Sequence, residues 1–333
     1  MVRVGLLMMS PWGDKSRQLA QLSPTHIYSI MPSNTRPPKD ETDLRYWLEN
    51  MVTHHRFQMD EVSAATGLSF KDIASALRRL EIPASPEVSS LNGLRVMPYP
   101  GGRHPRIGFL DGAIDPQRET KISVFTPWDP SSYVVVDVPE AIWSNLGLTY
   151  LAHTHIDTVW SKDNIALPPQ EWECRAGGTL RLARTLPNGL QFGSLIYPAK
   201  DHVAMAMWLH NGTDQALSDL RVQNCVMLKA AAGFNALSNH NKTLADPYVA
   251  CRCDQGDRWI ITAWEPCHRA WANAPVPCLH ADPRFPDTAP GETTILNGWL
   301  SFHEGPEVQP AIDAISNRWK RRTLQDLQSE IDL

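Results

Sequence analysis

The chain has 333 residues, of which 42% are hydrophobic and 20% are charged, and its formal net charge is −5. This composition is typical of a globular protein with a large core, and it excludes a largely disordered chain. The negative net charge gives no general attraction for the phosphate backbone of nucleic acids.

The sequence also indicates the cellular compartment and the type of secondary structure. No segment reaches the ~20 apolar residues of a membrane span, and the stretch GLLMM is too short for a signal-peptide core. We therefore expect a cytoplasmic protein without a membrane partner. The 27 prolines and 12 tryptophans favour short strands joined by stiff loops. The six cysteines are expected to be reduced, buried or metal-bound rather than paired.

Helical periodicity first appears in residues 40–82. Leu44 and Met51 follow an acidic first turn at helical spacing, and Gly67 separates two further stretches of helical periodicity, with Ser69 as a candidate N-cap. The pattern resembles a helix-turn-helix, in which a glycine makes the turn between two short helices. We therefore predict a small helical module over 40–82.

The charge of this module argues against nucleic acid as a partner. It contains eight acidic and five basic residues, whereas a DNA-reading helix normally lies in a basic surround that neutralises phosphates. Packing against the rest of the chain, or contact with a partner protein, is the alternative use of the module.

Short runs of strand-like sequence, separated by Pro, Gly, Asn or Asp turns, fill most of the remaining chain. Ten such runs without a helical repeat between them predict a mainly β protein made of packed antiparallel sheets. The predicted organisation is a loose leader over 1–39, the helical module over 40–82, a linker over 83–93, a β-supersandwich over 94–305 and a closing helix within 306–333.

The stretch GLQFGSLIYPAKDHVAMAMWLHNGTDQALSDLRVQNCVML, residues 189–228, has a strand–turn–strand texture with an HNGTD turn. It resembles the β-supersandwich proteins of the galactose-mutarotase-like class. The resemblance implies a concave sheet face lined with His, Arg, Trp and acidic residues, which binds or acts on carbohydrate.

The first candidate site lies in TYLAHTHIDTVW, residues 149–160. If this stretch is one strand, alternation directs His153, His155 and Asp157 to the same face. Two histidines so placed could hold a metal ion, with Glu173 as a further ligand, or flank a substrate hydroxyl as proton donor and acceptor. The simpler interpretation is a pair of solvated or core histidines.

The second candidate lies in residues 259–287, which we predict to be a strand ending at Glu265 followed by a long irregular loop. One interpretation is a sugar site in which Trp264 or Trp271 stacks on a ring and Glu265, His268 or His280 transfers protons. The other is a structural zinc site. Its candidate ligands are Cys267, His268, Cys278 and His280, with Cys251 and Cys253 in addition.

The third candidate is the Gly- and Pro-rich loop that contains Arg103, His104 and Arg106. These side chains could hold an anionic substrate, or they could pair with nearby acids such as Asp111 and Asp115.

Together these patterns predict a carbohydrate-active protein, an epimerase, lyase or hydrolase that works by His/Glu proton transfer on a sugar or sugar acid, with a divalent metal ion as the candidate cofactor. The alternatives are a non-catalytic sugar-sensing regulator with a helix-turn-helix module, and a zinc-stabilised structural or binding protein. The predicted catalytic residues are His153, His155, Glu265 and His268; the predicted substrate-binding residues are Arg103, Arg106, Trp264, Trp271, His280 and Asp282; the predicted metal ligands are His153, His155 and Glu173.

Overall fold

The computed structural model describes residues 35–84, 93–103, 119–153 and 156–319. The predicted leader, except for its last residues, lies outside the described residues, as do much of the predicted linker and the end of the chain. No helix within the described ranges is long and apolar enough to cross a membrane.

The helical module forms as predicted. Its helices are α1 Glu41–Leu48, a π-helical continuation Glu49–His54, α2 Met59–Thr66 and α3 Phe70–Arg79. Gly67 ends α2 in the left-handed region, at φ 76°, which glycine adopts without a steric penalty. The side chain of Ser69 accepts a hydrogen bond from the backbone N–H of Asp72 and so caps α3.

The first sheet, sheet A, contains seven strands in the described ranges and is antiparallel throughout. Its strand order is β1-β2-β3-β9-β14-β13, and β4 pairs with β3 beside this path. Its strands are β1 Val96–Pro98, β2 Lys121–Phe125, β3 Tyr133–Ser144, β4 Gly147–Leu151, β9 Val222–Met227, β13 Cys267–Asn273 and β14 Cys278–Pro283.

The second sheet, sheet B, is also antiparallel, with strand order β10-β11-β12-β15-β8-β7-β6-β5. Its strands are β5 Glu173–Cys174, β6 Leu180–Thr185, β7 Leu190–Pro198, β8 His202–Asn211, β10 Lys242–Ala245, β11 Tyr248–Arg252, β12 Arg258–Glu265 and β15 Thr293–Glu304. The mainly β fold with a helical module before it and a helix after it is therefore confirmed, while the domain boundaries remain predictions.

The two sheets pack face to face, because one apolar cluster draws buried side chains from both of them. Val136 and Val226 of sheet A and Leu209 and Ile260 of sheet B are examples, each at most 2% exposed. The texture of residues 189–228 corresponds to strands β7, β8 and β9 in this sandwich.

Helices pack on the outer face of each sheet. The helical module packs on sheet A, where Phe57 and Ile73 share a cluster with Tyr133 and Met227. Helix α5, Gln309–Trp319, packs on sheet B through side chains that include Ile315.

Two local predictions are wrong. The stretch 149–160 is not one strand, since β4 ends at Leu151 and a short helix, α4 Val159–Lys162, follows. The segment after Glu265 is not an irregular loop but the hairpin of β13 and β14. Its polar residues occupy alternate positions of paired strands, which made the segment look loop-like in sequence.

Candidate functional site

The outer face of sheet A carries a concentration of buried polar side chains. On β14, Leu279 and Ala281 belong to the core between the sheets, so alternation directs Cys278, His280 and Asp282 to the outer face. All three side chains are buried. Burying polar and charged groups costs free energy unless they are paired, so each of these side chains is expected to have partners.

The strand register aligns part of this set in one row across the sheet. Lys121 of β2 is opposite Asp137 of β3, and Asp137 is opposite Cys225 of β9. The β9–β14 register, continued by one residue beyond its Leu279–Val226 pair, sets His280 opposite Cys225. Trp271 of β13 completes the row opposite His280. Facing side chains in such a row are close enough to interact. We call it the polar row.

His280 is held rigidly within the row. Its Nδ1 donates a hydrogen bond to the backbone oxygen of Asn224 at 2.7 Å, its Nε2 lies 3.1 Å from the Sγ atom of Cys278, and the Trp271 ring stacks on it at 3.9 Å. Burial lowers the pKa of His280, but the Cys225 thiol and nearby carboxylates outweigh that effect and raise the pKa to about 9.

Asp282 is fully occupied by neighbouring donors. Its Oδ2 accepts hydrogen bonds from Arg269 at 2.8 Å and from Trp271 Nε1 at 2.6 Å, and its Oδ1 accepts one from the backbone N–H of Asn224 at 3.1 Å. Burial nevertheless raises the pKa of Asp282 above its usual range. The Asp282 carboxylate therefore holds its three donors in place, and we do not assign it contact with a substrate.

Glu140 forms the second polar group on this sheet. It lies where the β3–β9 register shifts between Asp137 and Ala141. One carboxylate oxygen is 3.4 Å from His153 Nε2, and the other accepts a hydrogen bond from the Gln223 amide at 3.0 Å. The Glu140 side chain is 11% exposed and that of His153 only 1%, so Glu140 is the member of the pair nearer to solvent.

Arginines lie beside these groups at the accessible end of the sheet. The side chains of Arg221, Arg269 and Arg284 are 44%, 50% and 44% exposed, respectively. Arg221 and Arg284 face each other across an isolated bridge and both pair with Asp219. Three partly exposed guanidinium groups on this face suit contact with an anionic ligand.

Three predicted residues from 264–268 do not join this group. Trp264 is 1% exposed in the core between the sheets, where its indole meets Gly298, so it cannot stack on a sugar at the surface. Glu265 lies two residues after Ala263, which packs in the cluster between sheet B and α5. Alternation therefore directs the Glu265 side chain to that outer face of sheet B. His268 is exposed at the irregular start of β13. We therefore omit all three from the site.

Arg103 has a structural position. Its guanidinium pairs with Glu61 of α2 at 2.5 Å and donates to the Tyr133 hydroxyl at 2.9 Å, and it lies over the Phe57 ring. The guanidinium thus joins the helical module to sheet A, as the alternative of acid pairing anticipated, although with a different acid. Arg106 lies outside the described residues.

The predicted metal set is not brought together by the described residues. His155 lies outside them, and Glu173 is exposed on the edge strand β5, where it pairs with Arg175 at 3.0 Å. His153 contacts Glu140 instead. Asp137, Glu140 and Cys225 were not selected from the sequence, although the charged residues inside the valine-rich run YVVVDVPEAIW were an available signal of a buried polar site.

The predicted zinc ligands also lie in different parts of the fold. Cys251 and Cys253 pack with the core between the sheets, whereas Cys278 and His280 face outward from sheet A. Cys225, which was not among the predicted ligands, joins the latter two: one atom from each of Cys225, Cys278 and His280 lies within 4.8 Å of the others.

Comparison with known proteins adds little to this geometry. No family model and no curated protein matches the chain. Among solved structures, a putative kojibiose phosphorylase from the human microbiome matches with a TM-score of 0.36 and 6% identity over 59% of this chain. A mutant of heparan sulfate lyase HepC from Pedobacter heparinus matches with a TM-score of 0.31 and 9% identity over 83% of this chain. The chain covers 27% and 45% of these two structures. Both neighbours are carbohydrate-processing enzymes by name, but similarity at this level carries no argument about activity.

Proposed function

We propose that the outer face of sheet A binds an acidic carbohydrate and that Glu140 exchanges a proton with it. The observation that carries this proposal is the Glu140–His153 contact of 3.4 Å on a sheet that also presents Arg221, Arg269 and Arg284. A carboxylate backed by an imidazole is a suitable proton acceptor, and arginines recognise carboxylate or sulfate groups in a bidentate manner.

The arrangement favours proton abstraction, as in an epimerase or lyase, over glycoside hydrolysis. Hydrolysis commonly uses two carboxylates that both reach the glycosidic bond. Among the described residues, the other buried carboxylates of this face are already engaged: Asp282 accepts hydrogen bonds from three donors, and Asp137 pairs with Lys121. Glu140 is then the base. His153 is a positioning residue that holds the Glu140 carboxylate and stabilises its ionised form.

Binding experiments test the first half of the proposal. Uronate-containing and neutral polysaccharides are titrated into the full chain by calorimetry. Because each charge-assisted hydrogen bond contributes about 1.5 kcal/mol or more, Arg221→Ala and Arg284→Ala should each weaken uronate binding about tenfold. The matched control is Arg258→Ala, a 50% exposed arginine on sheet B, which should leave binding unchanged. Equal binding of neutral and acidic chains would overturn the proposal.

Proton exchange tests the second half. In D2O, a base that removes a carbon-bound proton introduces deuterium into the substrate or leaves an unsaturated product, both visible by NMR. Absence of exchange, elimination and epimerisation with a tightly bound acidic carbohydrate would leave a binding protein and refute the catalytic role of Glu140.

A further inference from the structure

We infer that Cys225, Cys278 and His280 form a buried zinc site, with Asp137 as the fourth ligand. The inference does not depend on the proposed carbohydrate function, although Glu140 lies close to Asp137 and Cys225. It rests on the geometry of two adjacent strands: Cys278 and His280 are two residues apart on one face of β14, and Cys225 of β9 is opposite His280 in the polar row.

The spacing of the donor atoms matches zinc. Zinc binds thiolate sulfur at about 2.3 Å and imidazole nitrogen at about 2.0 Å, so neighbouring ligand atoms of a tetrahedral site lie roughly 3 to 4 Å apart. The Cys278 Sγ and His280 Nε2 atoms are 3.1 Å apart, and the Cys225 Sγ atom completes a group within 4.8 Å. An ion at the centre of this group requires the contact between Cys278 Sγ and His280 Nε2 to lengthen to roughly 3.5 Å.

The imidazole is oriented as a metal ligand. Because the Asn224 carbonyl oxygen can only accept, the 2.7 Å contact assigns the proton to Nδ1 of His280. Nε2, the atom directed at the sulfur of Cys278, is then the coordinating atom, and zinc binding displaces the proton that it carries in the metal-free protein. Metal-binding histidines usually donate their second ring N–H to a carbonyl or carboxylate in this way. The stack with Trp271 fixes the ring plane.

The fourth ligand follows from the row. Carboxylate oxygens of Asp137 and Glu140 form a second close group with Cys225. Both carboxylates have partners, since Glu140 contacts His153 and Gln223 and Asp137 pairs with Lys121, but Asp137 lies directly opposite Cys225 in the register. Asp137 is therefore the better ligand.

Charge balance supports a divalent ion. Two thiolates and one carboxylate would give the zinc complex one net negative charge. The ammonium group of Lys121, 2.8 Å from Asp137 and 1% exposed, neutralises it. A neutral assembly is far cheaper to bury than an unbalanced one.

Burial separates a structural metal site from a reactive cysteine. Cys225 is 0% exposed, and Cys278 and His280 are each 3% exposed. A nucleophilic thiol must reach its substrate, whereas a structural metal ion is enclosed during folding. The site joins β9 to β14, so the ion would stabilise the centre of sheet A.

Metal analysis tests the inference on the full chain. After zinc loading and removal of free metal, wild-type protein should retain one zinc per chain, while Cys225→Ser and Cys278→Ser should bind zinc at least tenfold more weakly, since each loses a thiolate ligand. The matched controls are Cys174→Ser and Cys253→Ser, cysteines outside the group, which should keep full zinc content. Full zinc retention in both ligand variants would overturn the proposal.

Cobalt spectroscopy covers the case in which the serine variants fail to fold. Co²⁺ added to the metal-free wild-type chain should give the charge-transfer absorption of thiolate ligands together with the intense visible d–d bands of a tetrahedral site. A wild-type chain that binds neither zinc nor cobalt refutes the site. Zinc content that persists in Arg221→Ala and Arg284→Ala would show that metal and carbohydrate binding are independent.

Discussion

The Nε2 atom of His153 lies 3.4 Å from the Oε1 atom of Glu140, and the other oxygen of Glu140 accepts a hydrogen bond from Gln223. This relationship connects β3, the end of β4 and β9 on one face of sheet A. It links the histidine selected from the sequence to a carboxylate that the sequence did not single out.

Glu140→Gln tests the role of this carboxylate. The amide preserves volume and hydrogen bonding but cannot accept the proton, so turnover of an acidic carbohydrate should fall by about 10² or more, with little change in affinity. Deuterium exchange into the substrate measures the effect. The control is Glu304→Gln on sheet B, a 63% exposed residue, which should retain turnover. Unchanged exchange in Glu140→Gln would exclude Glu140 as the base.

The Arg103–Glu61 pair should stabilise the attachment of the helical module. Arg103→Ala removes the 2.5 Å ion pair and the donor to Tyr133, so the free energy of unfolding should fall by about 2 kcal/mol. A double-mutant cycle with Glu61→Gln, measured by urea unfolding, should give a coupling energy of about 1 kcal/mol or more. Strict additivity of the two changes would show that the pair contributes nothing specific.

The sequence predicted the fold class because burial imposes simple periodicities. Apolar residues alternate along strands such as β6 and recur at helical spacing in α1 to α3, and Gly67 and Ser69 mark the boundary between two helices. The β13–β14 hairpin was missed because its outward positions hold Cys, His, Asp and Trp in place of the usual solvated residues. The alternation itself was present in CLHADP.

The site was predictable only in part because it depends on register. His153, Trp271, His280 and Asp282 were selected by residue type; the last three lie in strands of sheet A, and His153 follows the end of β4. Which strands adjoin them is set by long-range pairing that sequence spacing does not encode. Trp264 and Trp271 illustrate the difficulty: they are seven residues apart in one aromatic-rich stretch, yet one fills the core and the other faces outward.

The core position of Trp264 can be tested through Gly298. A Cβ atom at residue 298 would lie 2.5 Å from the Trp264 ring, which is closer than real contacts allow. Gly298→Ala should therefore lower the free energy of unfolding by about 2 kcal/mol. In a Trp264→Leu background, Gly298→Ala should lower the free energy of unfolding by less, because the clashing ring is absent. Equal costs in both backgrounds, measured by urea unfolding, would contradict this packing.

Acid should loosen the contact between the helical module and sheet A through His55. This side chain is 1% exposed, hydrogen bonds to the Asn50 backbone and to Ser123, and is surrounded by aromatic rings. Burial lowers its pKa to about 3. Neighbouring His54 has its pKa lowered to about 4, chiefly by burial and by Arg95.

The sign of the pH effect follows from these directions. Between pH 6.5 and 3 the unfolded chain binds a proton at His55 and the native chain does not. The contribution of His55 to the free energy of unfolding is therefore fully present above pH 6.5 and decreases as the pH falls. From pH 7 to pH 5 this histidine alone should cost about 2 kcal/mol. Urea unfolding at both pH values should show a clearly smaller loss in His55→Gln, and a smaller one still when His54→Gln is added. A variant with the wild-type pH dependence would mean that His55 is already protonated in the folded protein, or that its environment is not the one described.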